Sequence, residues 1–142
     1  MCGNVEIAKS VFKNSQMGVE TISTLVKVVK DEKMLEELYS ELGEYKRIND
    51  RARDILLNFG QQPESINPAA KASADISVKM NTLIDKTPSH VAEMMMQGNM
   101  MGVIKCIKII KEHPKADKTC LSLAYDLLKH EESNITQLKR FL

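Results

Sequence analysis

Apolar residues recur at alternating spacings of three and four along most of this chain, which is the period of one face of an α-helix. The first segment with this period carries Val5, Ala8, Phe12, Ser15, Val19, Ile22, Val26 and Val29 on its apolar face. The second segment repeats the pattern with Leu35, Leu38, Leu42, Tyr45, Asn49, Ala52, Leu56 and Phe59. Because this helical period dominates the chain, the sequence predicts an all-α protein.

Local signals divide the first half of the chain into a helical hairpin. Asp31 and Glu32 predict the start of the second helix, because acidic side chains favour the positive end of the helix dipole. Gly60 predicts the end of that helix. A short turn between two long helices makes them antiparallel neighbours.

A second hairpin is predicted in the C-terminal half. Thr87 followed by Pro88 indicates a helix start, because Thr caps free backbone N–H groups and Pro fits the first helical position. That helix is predicted to end at His113 and Pro114, since proline cannot continue a helix interior. The last helix is predicted to run from about Lys115 to the C-terminus.

The segment between the two hairpins predicts a long crossover. Residues 61–68 contain two prolines and no apolar period, so they predict a loop. Residues 69–84 predict a shorter helix. The 142 residues suit one domain with one hydrophobic core, so we expect residues 1–142 to form a single helical bundle.

Charge and aromatic content narrow the partners that we expect. The formal net charge is +1, aromatic residues make up 4% of the chain, and there is no Trp. Nucleic-acid surfaces usually carry a basic excess and aromatic side chains for stacking, so no nucleic-acid partner is expected. Residues 91–110 form the most apolar stretch, but polar and charged residues interrupt it, so no membrane span is predicted.

The cysteines and the N-terminal segment favour a cytoplasmic location. The cysteine count is three, an odd number, and there is no CxxC pair or Cys/His metal spacing. Residues 1–10 lack the basic start and apolar run of a secretory signal. A reducing compartment is the natural setting for such a chain.

Two carboxylates are predicted to lie inside the bundle. At about 100° per residue, Glu131 falls in the middle of the apolar arc of the last helix. Glu41 falls within the arc of the second helix, and Glu44 lies at the edge of that arc. A buried carboxylate costs free energy unless it is paired, hydrogen-bonded, metal-bound or protonated.

These carboxylates, together with the two hairpins and the long crossover, resemble the ferritin-like di-metal bundles. Those proteins carry a Glu on each of two helices and Glu-x-x-His on each of the other two. The corresponding pairs here are Glu41/Glu44 and Glu131/Asn134, and neither contains the histidine. The segments Asn-Pro-x-Ala-Lys at 67–71 and Ser-His-x-Ala-Glu-Met-Met-x-Gln-Gly at 89–98 look like those of small uncharacterised bacterial members of this superfamily.

The resemblance implies a ferritin-like four-helix bundle with weak iron or manganese binding through inward carboxylates. The expected ligands are Glu41, Glu44 and Glu131, and the additional candidates are Glu20, Gln97 and Asn134. A structural polar network is the alternative for the same residues, because Tyr45 and Asn49 share the inward face of the second helix. Such a network can fix the register between helices.

A predicted methionine-rich helix is the basis for an alternative function, self-association. Five methionines, Met94, Met95, Met96, Met100 and Met101, cover more than one side of this helix. A helix that is apolar nearly all round is either central or shared with a partner chain. We therefore expect a homodimer through residues 94–107, which would make the chain a structural or interaction protein without metal.

The remaining patterns give little sign of catalysis. No Ser/His/Asp or Cys/His arrangement and no phosphate loop are present, which favours a protein without enzymatic activity. An oxidoreductase with a carboxylate-rich metal site stays open as a third class, although the missing histidines count against it. The three histidines are expected to be solvated or capping, with His130 at the polar edge of its helix. A short internal repeat, Met-Gly-Val at 17–19 and 101–103, leaves open whether the second hairpin is a duplicate of the first.

Overall fold

The computed structural model describes residues 3–63 and 87–142, and the regular elements within these ranges are all helical. Helix α1 spans Asn4–Leu25, α2 spans Glu32–Asn58, α3 spans Pro88–Glu112 and α4 spans Lys118–Leu138. A 3₁₀ turn, Lys139–Phe141, follows α4. The prediction of an all-α protein with four main helices is confirmed. The predicted crossover helix at 69–84 lies outside the described residues.

The predicted start and end of α2 are both confirmed. The Asp31 carboxylate accepts a hydrogen bond from the backbone N–H of Met34 at 2.9 Å, which caps the helix start. After the helix, Gly60 adopts a left-handed conformation with φ of 72°, which glycine reaches without a steric penalty. The chain therefore turns where the local signals predict.

The limits of α3 also match the prediction, whereas α4 begins later than expected. The Thr87 side chain caps the start of α3 with Pro88 in its first turn, and the helix ends before His113. Helix α4 begins at Lys118 rather than near Lys115. The delay arises because Asp117 keeps an extended backbone and its N–H donates to the Asn4 side chain at 2.8 Å.

Helices α1 and α2 form an antiparallel hairpin. Asn49 of α2 donates from its amide to the Phe12 carbonyl at 3.2 Å and to the Ser15 hydroxyl at 3.0 Å. Further along α1, Gly18 packs against Tyr45, which comes earlier in α2. Residue numbers rise in one helix as they fall in the other, so the two helices run in opposite directions.

The second hairpin packs on the first through α4, which contacts both α1 and α2, and through α3, which contacts α1. The Tyr45 ring meets the His130 ring edge to face, with centroids 4.4 Å apart. Toward the C-terminal end of α2, Arg51 forms an ion pair with Asp126. Further toward the same end of the bundle, the Asn4 amide donates to the Asp117 carboxylate at 2.8 Å and joins the N-terminal ends of α1 and α4.

The four helices share one hydrophobic core, but α3 contributes smaller side chains than the others. Its buried positions include Val91, Ala92, Gly102, Val103 and Cys106. The small side chains along the buried face of α3 leave space between α3 and α1. The largest fully buried apolar side chains come from the other three helices: Ile7, Phe12, Ile22, Leu25, Met34, Leu38, Ile48, Leu56, Leu123, Leu127 and Leu138.

Among the described helices, none combines the length and apolarity that crossing a lipid bilayer requires.

Candidate functional site

Glu131 lies on the buried face of α4, as the helical period predicts, and is 3% exposed. Burial raises the pKa of this carboxyl to about 7, while the Tyr45 hydroxyl opposes the rise. Its Oε2 atom has no hydrogen-bond partner among the described residues. A buried carboxylate oxygen without a donor costs folding free energy, unless another molecule donates a hydrogen bond to it.

Glu41 on α2 is buried as well, at 2% exposed. Its pKa is raised to about 10, first by burial, then by the neighbouring Glu37 carboxyl group and by the charge of Glu131. Glu41 is therefore protonated at neutral pH, and neither of its oxygens has a hydrogen-bond partner among the described residues. Glu37 accepts from Arg140 at 3.1 Å, and the positive charge of Arg140 opposes the rise in the pKa of Glu41.

Tyr45 joins the two carboxyl groups to α3. Its hydroxyl donates to the Asn99 side-chain oxygen at 3.1 Å. Burial, followed by the charge of Glu131, raises the pKa of Tyr45 well above its usual value, so the hydroxyl remains a neutral donor. The Asn99 amide nitrogen has no acceptor within the described ranges. The cluster thus holds an unpaired acceptor on Glu131 and an unpaired donor on Asn99.

His130 belongs to this cluster, and the expectation of a solvated histidine was wrong for this residue. It is only 8% exposed because α2 covers the edge of α4 where it lies. Burial lowers the pKa of His130 to about 4, and the charge of Glu44 opposes this shift. The Asn134 amide nitrogen lies 3.1 Å from Nε2 of the ring. Since an amide nitrogen donates, this contact fits a neutral ring with its proton on Nδ1.

A cavity of about 320 Å³ lies between α1 and α3 and reaches this polar cluster. Its apolar wall is formed largely by methionines, of which Met17 and Met101 are exposed and Met95 is buried. The cavity therefore leads from the surface to buried polar groups. Those groups are Tyr45, Asn99 and Glu131, and Lys105 lines the wall as well.

Two glycines leave room for the polar side chains that line the cavity. A Cβ atom on Gly18 would lie 2.7 Å from the Tyr45 ring, and one on Gly102 would lie 2.8 Å from the Glu131 carboxyl carbon. Both distances are too short for a real side chain. The two glycines are the central residues of the Met-Gly-Val repeat, so the two copies occupy corresponding positions on opposite walls.

The residues predicted from sequence as metal ligands are only partly together. Glu41, Glu131 and Asn134 all interact with Tyr45. Glu44 lies at the surface instead, in an ion pair with Arg47.

The other two candidates do not join the cluster through any described contact. Glu20 accepts from Gln16 on its own helix at 3.1 Å, and its second oxygen has no partner within the described ranges. Gln97 is exposed. In residues 3–63 and 87–142, no three or more His, Cys, Asp or Glu side chains converge as they would around a metal ion.

The predicted polar core is confirmed, and it is larger than expected. Glu41, Tyr45, Asn49, Glu131 and Asn134 are all buried. The sequence analysis missed three further buried polar residues that interact with them or line the same cavity: Glu37, Asn99 and His130. Ser15, which the helical period places on the inward face of α1, is buried as well. Comparison of the chain with known protein families, with functionally described proteins and with solved structures finds no similar protein.

Proposed function

We propose that this protein is a ferritin-like helical bundle that binds a small molecule, without catalysis, in the cavity between α1 and α3. The observation that carries the proposal is the buried Glu131 oxygen, which has no partner among the described residues and lies in the wall of a 320 Å³ cavity. An apolar cavity with a few convergent polar groups, one of them with a shifted pKa, has the characteristics of a ligand site.

The directions of the helices support the ferritin-like part of the proposal. Asn4 and Asp117 join the N-terminal ends of α1 and α4, so these helices run the same way. Each is antiparallel to its hairpin neighbour, so α2 and α3 also run the same way. One long connection between two hairpins of this kind is the arrangement of ferritin-like bundles.

The side chains do not fit the two-metal centre that this family implies. Such a centre needs several carboxylates and imidazoles that converge on two ions. Here Glu44 is engaged by Arg47, and the His130 ring is engaged by Asn134. Between Glu41 and Glu131 the structure gives only an electrostatic effect, in which the charge of Glu131 raises the pKa of Glu41.

Methionine methyl groups offer a direct test of the binding proposal. The protein would be labelled with ¹³C at the methionine methyls and titrated with 1-butanol as a small amphiphilic probe. We expect shift changes at the cavity residues Met17, Met94, Met95 and Met101. Met34, which is fully buried in the core away from the cavity, serves as the control. Changes spread equally to Met34, or no changes at all, would contradict the proposal.

Weak binding of iron or manganese between Glu41 and Glu131 is a competing proposal, which their electrostatic interaction favours. It is tested by elemental mass spectrometry after anaerobic incubation with ferrous iron or manganese. Bound metal that is lost in Glu131→Gln but kept in Glu132→Gln would favour this proposal. Equal and negligible metal in all three proteins would exclude it. Glu132 suits the control because it is exposed and adjacent.

Self-association through residues 94–107 is a second candidate function, favoured by an exposed apolar surface. Met100, Met101, Ile104 and Ile107 on α3 are between 39% and 60% exposed. Light scattering after gel filtration would show a mass of twice 16.0 kDa if the protein dimerises there. Ile104→Lys should then give the single-chain mass, whereas Leu57→Lys, at a similarly exposed position on α2, should not. A single-chain mass for the unaltered protein would reject this candidate.

A further inference from the structure

We propose that the cavity is specific for a small organic cation, a protonated primary amine on a short apolar chain, whose charged end pairs with Glu131. This inference rests on the proposed binding function and names its ligand class. It follows from the polar atoms in the cavity, from the charges around Glu131 and from the nature of the wall.

The polar end of the cavity presents an acceptor that needs a donor. Glu131 Oε2 has no partner among the described residues, although the Tyr45 hydroxyl lies near the carboxyl group. That hydroxyl has a single proton, and it lies within reach of both the Asn99 side-chain oxygen and the Glu131 carboxyl group, so it cannot serve both fully. An ammonium group brings three N–H donors and a full positive charge. It would provide the charge-assisted hydrogen bond that Glu131 lacks.

No described group around Glu131 neutralises its charge. From α2, Tyr45 and Glu41 are neutral at pH 7, because the pKa of each is raised. From α4, burial lowers the pKa of His130 to about 4, so the ring is uncharged. From α3, burial raises the pKa of Cys106 to about 12, so this thiol is also uncharged.

Lys105 is the one cationic residue among those that line the described cavity, and it is exposed and forms no described ion pair with Glu131. The pKa of Glu131 is set by burial and by Tyr45, with no contribution from Lys105. The α1 residues of the wall are uncharged: Asn14, Met17, Gly18 and Thr21. A cationic ligand would therefore supply a charge that the surrounding helices do not.

The rest of the cavity matches an apolar chain with a hydrogen-bond acceptor next to the amine. Methionine side chains are flexible and polarisable, so they adapt to an alkyl group. The Asn99 amide nitrogen, which lacks an acceptor among the described residues, can donate to a hydroxyl group beside the ammonium. An amino alcohol such as 2-aminobutan-1-ol satisfies both unpaired groups, whereas butylamine satisfies Glu131 alone.

The test compares n-butylammonium with 1-butanol, which has a similar apolar chain and no charge, by methionine-methyl NMR at pH 8. We expect n-butylammonium to bind the unaltered protein about tenfold more tightly or better, as a hydrogen bond to a charged group implies. Glu131→Gln should bring the two affinities to within about twofold of each other. Glu132→Gln, on the exposed side of α4, should leave the difference unchanged.

The pH dependence gives a second readout that a purely structural role for Glu131 would not produce. Because the pKa of Glu131 is about 7, its ionised fraction rises from about one tenth at pH 6 to about nine tenths at pH 8. An alkylamine stays protonated over this range. The affinity for n-butylammonium should therefore rise about tenfold between these pH values and stay nearly constant in Glu131→Gln.

Each outcome distinguishes this inference from the proposed function. Equal affinities for n-butylammonium and 1-butanol in the unaltered protein would overturn the inference and leave the binding function standing. Binding of neither probe would overturn both. The comparison of the two probes in the unaltered protein decides the matter even if Glu131→Gln fails to fold, which the methyl shift of Met34 would reveal.

Discussion

Glu41 is protonated inside the bundle, and this state depends on the residues around it. Burial makes ionisation of Glu41 costly, and the charges of Glu37 and Glu131 add to that cost. Arg140 comes from the 3₁₀ turn after α4 and pairs with Glu37. Glu37 therefore has a cationic partner, whereas Glu41 is buried without one and is protonated.

Glu41 should make the protein less stable as the pH rises above neutrality. Its folded pKa of about 10 lies above the usual 4.5, so the folded state binds the extra proton and stability falls as the pH rises between these values. Glu131, with a pKa of about 7, contributes little further loss above pH 8. Between pH 8 and 9 the slope from Glu41 should approach but not exceed about 1.4 kcal/mol per pH unit.

Urea denaturation at several pH values tests this expectation. The Glu41→Gln protein should lose less stability than the unaltered protein between pH 8 and 9, because Gln cannot ionise. Glu36→Gln, at an exposed position on the same helix, is the matched control and should behave like the unaltered protein. The cysteines titrate equally in all three proteins, so the difference between the slopes isolates Glu41. Identical slopes for the Glu41→Gln variant and the unaltered protein would show that Glu41 is ionised or exposed.

At the scale of the helices, α1 and α3 are shaped by the side chains that approach them from α2 and α4. Gly18 leaves room for the Tyr45 ring, and Gly102 leaves room for the Glu131 carboxyl group. In both hairpins, the glycine of the Met-Gly-Val repeat is therefore required by the packing of a neighbouring helix. The two glycines lie on opposite walls of the cavity, which opens between the methionines of α1 and α3.

Glycine substitutions on α1 and α2 should change stability in opposite directions. Gly43 has open space around its Cβ position, so Gly43→Ala should stabilise the protein by about 0.5–1 kcal/mol through helix propensity alone. Gly18→Ala should destabilise it by about 1–3 kcal/mol, because the new methyl group displaces the buried Tyr45 ring. Urea denaturation of both variants measures the two effects. Stabilisation by Gly18→Ala would mean that Tyr45 does not pack against α1.

The limits of the helices could be predicted because their signals are local. Asp31, Gly60 and Thr87 act on the turns in which they lie, so one segment of sequence contains the information. The inward position of Glu131 could be predicted for the same reason, since the apolar arc of one helix defines it. The start of α4 could not, because Asp117 is held by Asn4, which is more than a hundred residues away.

At the scale of the whole molecule, the candidate site could be predicted only in part, because it depends on which helix covers which. His130 lies at the edge of the apolar arc of α4, and it becomes buried only because Tyr45 packs over it. Asn99 lies in a methionine-rich helix, and its role depends on contact with Tyr45 from the other hairpin. Glu44 lies at the edge of the arc of α2 and turns outward to Arg47. Edge positions of this kind are decided by packing rather than by helical period.

The measurement that tests the central claim most directly is the pKa of Glu131, followed by carboxyl ¹³C NMR with and without saturating n-butylammonium. A buried carboxylate whose Oε2 has no partner in the described structure should titrate at about 7 without ligand. Its pKa should fall when the ammonium group pairs with it, because an opposite charge favours the ionised form. A pKa near 4.5 in the free protein, or one that n-butylammonium leaves unchanged at saturation, would contradict the proposed site.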